Sequence, residues 1–191
     1  MSSDESTRPA AIQRQGWLQL ADPAVLWPLV RAMRPHQWTK NLLVFAALVF
    51  AQRLGHLADV AAAAVAFLLF CAASSATYLF NDVCDVEEDR QHPLKRHRPV
   101  ASGALPVPVA LVAALALGAV AVGGGLAVRM RLGGVVAAYL ALQLAYSMVL
   151  KHVVIVDVLC IAASFVLRAA AGAVALEVAF SSWLFMCTAL L

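Results

Sequence analysis

Three long stretches of this chain carry no charge at all. Val60–Phe80, Val107–Val128 and Gly133–Leu150 contain no Asp, Glu, Lys or Arg. A helix rises about 1.5 Å per residue, so each stretch reaches, or nearly reaches, across a hydrocarbon layer about 30 Å thick. The whole chain is 63% hydrophobic and 13% charged. An ordinary soluble domain is about 45–50% apolar and about 25% charged. These proportions argue against a soluble enzyme, a nucleic-acid module and a disordered segment. An integral membrane protein remains.

Further apolar runs extend the pattern. A short one centres on Asn41–Ala51 and starts near Pro35. Another runs from Val153 to Leu176, interrupted by Asp157 and Arg168. A last one begins near Ser182 and meets the chain end at Leu191. The expected architecture is therefore all-α: a polytopic transmembrane helix bundle with about five complete spans and a truncated sixth. Alanine and glycine are frequent in the spans, as in Ala61–Ala64 and Ala169–Gly172. Small residues let membrane helices approach closely. Residues 1–30 read as a polar cytoplasmic tail and residues 31–191 as the N-terminal part of a larger membrane domain. Cys71, Cys84, Cys160 and Cys187 have no CxxC spacing and read as small hydrophobes, not as a zinc or disulfide framework.

Lys and Arg set the orientation. With the N-terminus in the cytoplasm, Arg8, Arg14, Arg31, Arg34, Lys40, Arg90, Lys95, Arg96, Arg98 and Lys151 share its side. Only Arg53, Arg129 and Arg131 lie opposite. The loop after Phe80 is expected to be cytoplasmic, in a multi-pass plasma-membrane protein.

That loop is where the scarce charge collects. Residues 81–98 hold nine charged side chains of the chain's fourteen basic and eleven acidic ones. Asp82, Asp85 and Asp89 stand at i, i+3 and i+7, so a continuous helix would stack all three carboxylates on one face. Like charges held together call for a cation between them. Carboxylate oxygens suit Mg²⁺, which binds through one or two carboxylates together with substrate phosphates. Asn81 adjoins this face. Pro93 then breaks the helix, so Lys95, Arg96 and Arg98 can fold back towards the acids and meet phosphate oxygens. The alternative is an ordinary solvated loop. Acid face, break and basic cluster favour a site for a Mg²⁺-bound diphosphate.

These residues carry a family resemblance. Asn81-Asp82-x-x-Asp85-x-x-x-Asp89, followed by Arg98-Pro99-x-x-x-Gly103, resembles the first aspartate-rich motif of the UbiA superfamily of membrane prenyltransferases. Arg34-Pro35-x-x-Trp38-x-Lys40-Asn41 fits the same superfamily. The resemblance implies an all-helical bundle of about nine spans in which Asn81, Asp82, Asp85 and Asp89 hold Mg²⁺ against a donor diphosphate. The candidate phosphate contacts, read from their charge and position, are Arg34, Lys40, Asn41, Lys95, Arg96, Arg98 and Lys151. A second aspartate-rich motif would come from a C-terminal half beyond Leu191.

Within the superfamily, His92-Pro93-Leu94-Lys95-Arg96-His97-Arg98-Pro99 departs from the aromatic-prenylating pattern, which carries Arg-Thr before the Arg-Pro pair. It resembles the branch that transfers phosphoribosyl to decaprenyl phosphate for arabinan precursors of the cell wall. Leu150-Lys151-His152 through Asp157, and Phe165-Val166-Leu167-Arg168 through Gly172, resemble that branch too. The expected reaction is Mg²⁺-dependent transfer of 5-phosphoribosyl from phosphoribosyl diphosphate to a polyprenyl phosphate. Both substrates are phosphorylated, which suits the cationic surround. A second reading is transfer of a polyprenyl group from its diphosphate to an aromatic acceptor. A third is a cation-binding transporter, which would show paired broken helices at the midplane; no such repeat is visible. The expected partners are these substrates, the lipid bilayer and a second copy of the chain in a homo-oligomer, with no nucleic acid.

Asp157 and Arg168 sit eleven residues apart inside an apolar run. Ionisable residues there are functional by default, so they are candidates for substrate positioning. The competing reading is a structural pair with a neighbouring helix. His92 and His97 read as phosphate contacts or surface residues before they read as bases. Trp38 and Tyr146 read as belt or packing residues.

Overall fold

The computed structural model describes residues 23–150 and 154–190. The remainder of the expected tail and Lys151 lie outside the described residues. Among the described residues all regular structure is helical. Helix α1 (Pro23–Ala32) leads into a 3₁₀ segment (Pro35–Phe45) and the short α2 (Ala46–Phe50). Then come α3 (Leu57–Cys84), α4 (Val86–Gln91) and a 3₁₀ turn (Lys95–His97). Helices α5 (Val107–Val128), α6 (Met130–Met148), α7 (Val154–Ala175) and α8 (Ser182–Ala189) complete the chain.

Among the described residues three helices are long and apolar enough to cross a membrane: Leu57–Cys84, Val107–Val128 and Ile155–Ala175. They coincide with three of the apolar runs. The run around Asn41–Ala51 behaves differently from a plain span. Its first part winds as a 3₁₀ helix for 11 residues before α2 adds 5. A 3₁₀ helix rises about 2.0 Å per residue. With the α-helical rise for the rest, the two pieces have a contour length of about 30 Å. A stretch short in residues thus gains the reach of a membrane span.

The reason for the tight winding is written in a three-residue period. Side chains at i and i+3 eclipse in a 3₁₀ helix. Trp38, Asn41 and Val44 share such a face, and Ala47 continues the spacing. Asn41 and Val44 are fully buried and Ala47 nearly so. Pro35 suits the start of the segment, and Arg34 before it adopts a left-handed conformation. The buried face presses on α7 at Gly172, where a Cβ would collide with the Val44 carbonyl oxygen.

Helix α3 is the centre of the bundle. It packs against α5, α6, α7 and the 3₁₀ segment. Its buried side chains include Ala66, Phe70 and Ala73, which meet Val44, Ala121, Val136, Tyr139 and Ala171. Phe70 and Tyr139 contact with ring centroids 5.2 Å apart. In lipid such close packing, and not hydrophobic transfer, supplies the association energy. Helices α5 and α6 cross so tightly that a Cβ on Gly125 would stand 2.9 Å from Gly133 Cα.

At 28 residues, α3 measures about 42 Å and overshoots the hydrocarbon layer. Its last turns carry Asn81 and Asp82. A second apolar cluster fixes that end: Ala32 of α1, Leu79 of α3, Val100 and Leu105 of the loop, and Val109, Ala110 and Ala114 of α5. The charged loop is therefore anchored on both sides of its acidic and basic groups.

Candidate active site at the end of helix α3

Helix α3 stops at Cys84, and Asp85 caps it at φ −93, ψ 8. Helix α4 restarts at Val86, its backbone joined to the cap by the Asp89 amide donating to the Asp85 carbonyl at 2.8 Å. Breaking the helix splits the acidic face that a continuous helix would form. Asp82 and Asp89 converge on one cation, while Asp85 accepts from Asn81 Nδ2 at 3.0 Å.

The cation is Arg98. Its Nη1 donates to Asp89 Oδ2 at 2.7 Å and to Asp82 Oδ1 at 3.3 Å. Helix α4 ends at Gln91, before Pro93, and the chain folds back to bring Arg98 to the acids. His92 assists the reversal. Its Nδ1 accepts from the amides of Leu94 and Lys95 at 3.2 and 3.3 Å, so this nitrogen is spent on the turn.

A second arginine joins the cluster at the same Asp82 oxygen. Arg34 Nη2 donates to Asp82 Oδ1 at 2.5 Å, and its guanidinium lies 4.9 Å from the Tyr78 ring centroid. Asp82 and Asp89 are each 1% exposed. A buried charge needs paired partners, and here two carboxylates share two arginines. Asp82 Oδ2 has no hydrogen-bond partner among the described residues.

The cluster opens onto a cleft of about 320 Å³ lined by Arg31, Arg34, His36, Gln37, Asp82, Leu94, His97 and Arg98, among others. Three guanidinium groups face it, enough positive charge to receive phosphate oxygens in bidentate fashion. Arg31, His36 and Gln37 were not singled out in the sequence. The available signal was the i, i+3 spacing of Arg31 and Arg34 next to the proline.

The other sequence candidates sit elsewhere. Lys95 and Arg96 are exposed on the 3₁₀ turn, and Arg96 Nε donates to His97 Nε2 at 3.4 Å. Lys40 is exposed on the outer face of the 3₁₀ segment, in a shallow apolar groove with Leu42, Val49 and Phe165. Asn41 and Arg168 form a separate buried node, with Arg168 Nε donating to Asn41 Oδ1 at 2.8 Å. Asp157 faces the Tyr146 phenol near the start of α7.

The donor set suits Mg²⁺. Asp82 offers one unpartnered oxygen, and Asn81 and Asp85 stand within a turn of it. Among the described residues no three His, Cys, Asp or Glu side chains gather into a site that could hold a metal by themselves. Mg²⁺ characteristically takes only one or two carboxylates and completes its octahedron with water and substrate phosphate. An ion here would be shared between protein and diphosphate.

Comparison with known proteins adds to this geometry. The UbiA prenyltransferase family matches residues 42–191. The decaprenyl-phosphate phosphoribosyltransferase of Mycobacterium tuberculosis is 38% identical over 187 residues, covering 96% of this chain and 58% of that protein. Proteins of the same name from Mycolicibacterium smegmatis and Corynebacterium glutamicum are 44% and 42% identical. Those matches cover 81% and 84% of this chain and 50% of each relative. The chain spans about half the length of the curated relatives it matches. An all-helical membrane bundle, the aspartate cluster at the end of α3 and a family match over most of its length lead to one assignment: the chain belongs to the UbiA prenyltransferase family.

Proposed function

We propose that this chain forms the donor-binding half of a Mg²⁺-dependent transferase that moves 5-phosphoribosyl from phosphoribosyl diphosphate to a polyprenyl phosphate. The observation that carries the reading is the cleft at the end of α3, where Arg34 and Arg98 bind a buried aspartate with one oxygen unpartnered and Arg31 lines the same opening. The relatives named for phosphoribosyl transfer to decaprenyl phosphate, at 38–44% identity, support the choice of substrates. The product would serve cell-wall arabinan synthesis. The loop faces the cytoplasm in this reading, in accord with the Lys and Arg distribution.

In the reaction the bond from the anomeric carbon to the diphosphate oxygen breaks, and the electron pair leaves with the diphosphate. A phosphate oxygen of the lipid forms the new bond to that carbon. Bound Mg²⁺ supplies charge neutralisation to the leaving diphosphate. Arg34 and Arg98 hold the diphosphate and disperse the charge that builds on it, the largest kind of electrostatic contribution to catalysis. Arg31 reaches the remaining phosphate of the donor. The acceptor is already ionised, so no strong general base is required. Asp82 and Asp89 keep the two arginines oriented before substrate arrives, which reduces the reorganisation needed in the transition state.

The test is direct. The full-length protein in membranes is incubated with radiolabelled phosphoribosyl diphosphate, a polyprenyl phosphate and Mg²⁺. Lipid-linked ribose phosphate is the expected product. Prenylation of an aromatic acid from a polyprenyl diphosphate, with no ribosylated lipid, would replace this reading with the aromatic branch of the family.

A further inference from the structure

Arg168 lies in the body of α7, fourteen residues after its first residue, and is 3% exposed. A charge at membrane depth normally pairs with an opposite charge or lines a water-filled path. Among the described residues no acidic side chain forms an ion pair with it. Neutral groups satisfy it instead. Nε donates to Asn41 Oδ1 at 2.8 Å, Nη1 to the Ser164 carbonyl and hydroxyl at 2.8 and 3.0 Å, and Nη2 to the Tyr139 hydroxyl at 3.0 Å. The guanidinium also stacks on Tyr139 and Phe165, at 4.9 and 5.4 Å from their centroids.

These partners come from three elements: the 3₁₀ segment, α6 and α7 itself. Asn41 extends the network to a fourth. Its Nδ2 donates to Ser74 Oγ at 3.1 Å and to Cys71 Sγ at 3.4 Å, both on α3. The 3₁₀ segment and α3 are then joined along their length by a ladder of polar contacts. Asn41 meets Ser74, Trp38 Nε1 donates to Ser75 Oγ at 3.1 Å, and Arg34 meets Asp82. The rungs descend in order from the Arg168 node to the candidate active site. A 3₁₀ helix has poorer hydrogen-bond geometry than an α-helix and is uncommon beyond a few residues. An 11-residue one needs external support.

We infer that Arg168 is a positioning residue: through Asn41 it locks the register of the 3₁₀ segment on α3 and so holds Arg34 at Asp82. The planar fork of arginine matters, because four acceptors on three residues are engaged at fixed angles, and an ammonium cannot replace it. The kinetic part of this inference rests on the proposed phosphoribosyl transfer; the structural part does not.

Hydrogen–deuterium exchange on the full-length protein in nanodiscs reads the structural part without any substrate. In Arg168→Met and Arg168→Lys the amides of Gln37–Phe45 are expected to exchange at least about tenfold faster, while α5 stays protected. Asn41→Leu breaks the strut from its other end and is expected to loosen the same amides. Unchanged exchange in that segment, or loss of protection throughout the bundle in both Arg168→Met and Asn41→Leu, overturns the inference. Ser164→Asp sets a carboxylate beside the guanidinium and cancels its charge while leaving the Asn41 contact. It is expected to keep the segment protected and to hold the donor KM within about twofold, whereas Arg168→Met raises that KM about tenfold or more. An equal rise in KM for Ser164→Asp with the segment still protected would make the charge itself the functional element and reject the strut. If no ribosylated lipid forms even with the unmodified protein, the functional reading fails while the exchange data still judge the strut.

Discussion

The Arg34 guanidinium donates to Asp82 Oδ1 at 2.5 Å across 48 residues of sequence. This contact ties the entry of the 3₁₀ segment to the end of α3. Arg34 itself stands at φ 54, ψ 60. A left-handed conformation costs a residue with a Cβ about 1–2 kcal/mol. The left-handed backbone carries the side chain across to the aspartate. Site geometry and backbone geometry are thus fixed by the same residue.

Removing Asp82 should destabilise the protein as well as inactivate it. Asp82 is 1% exposed and accepts from both Arg34 and Arg98. Losing one partner of a buried ion pair costs about 3 kcal/mol. Asp82→Ala is expected to lower the thermal unfolding temperature clearly, and Asp82→Asn less so. A melting temperature equal to that of the unmodified protein would mean that the cluster does not anchor the loop.

Asp85 and Asp89 should separate into two classes. Both substitutions to alanine are expected to reduce turnover about 100-fold or more. Asp89 is buried and bound to Arg98 at 2.7 Å, so Asp89→Ala should also lower stability. Asp85 caps α3 at intermediate exposure and accepts from Asn81, so Asp85→Ala should lower the melting temperature less than Asp89→Ala does. Parallel activity and thermal-shift measurements decide the matter.

Chelation should abolish phosphoribosyl transfer, and added Mg²⁺ should restore it. Asp82→Asn is expected to raise the Mg²⁺ concentration required for half-maximal rate about tenfold, because Mg²⁺ prefers charged oxygen donors. A rate that is indifferent to chelator would remove the metal from the mechanism.

Two glycines make a control pair. A Cβ on Gly172 would collide with the Val44 carbonyl oxygen, so Gly172→Ala forces α7 away from the 3₁₀ segment. Overpacking of this kind costs about 1–3 kcal/mol. A Cβ on Gly123 meets nothing within 4 Å. Gly123→Ala in helix α5 should be neutral or stabilise by about 0.5–1 kcal/mol. Thermal unfolding of the two variants should move in opposite directions or differ by several degrees.

The long helices were legible from charge alone. The uncharged run Val107–Val128 is the extent of α5, and Val60–Phe80 lies inside α3. Absence of charge is a local property, and helices in lipid satisfy their own backbone. The 3₁₀ winding was not legible from the apolar run, because it depends on contacts with Ser74, Ser75 and Gly172 made far along the chain. Its trace in the sequence is the three-residue spacing of Trp38, Asn41 and Val44, easily taken for part of an α-helical period. The grouping of acids was legible as a cluster but not in its detail. Asp82, Asp85 and Asp89 share a face only if α3 continues, and the break at Asp85 divides them. The place of Arg31, His36 and Gln37 in the cleft beside Asp82 was not legible, because the left-handed turn at Arg34 sets it. Nothing local to residues 31–37 announces that turn apart from the following proline.

The Asn41–Arg168 bond closes over 127 residues. A ribosome adds about 5–20 residues per second, so Asn41 leaves it roughly 6–25 s before its partner is made. The Arg98–Asp89 contact spans 9 residues and the Arg34–Asp82 contact 48. Synthesis therefore makes the partners of the charged loop available first. The Arg98–Asp89 and Arg34–Asp82 contacts can form while later helices are still being synthesised, whereas the Asn41–Arg168 bond must wait until α7 has been made. A substitution of Arg168 would therefore leave the charged loop its two contacts, while Asn41 loses its partner on α7.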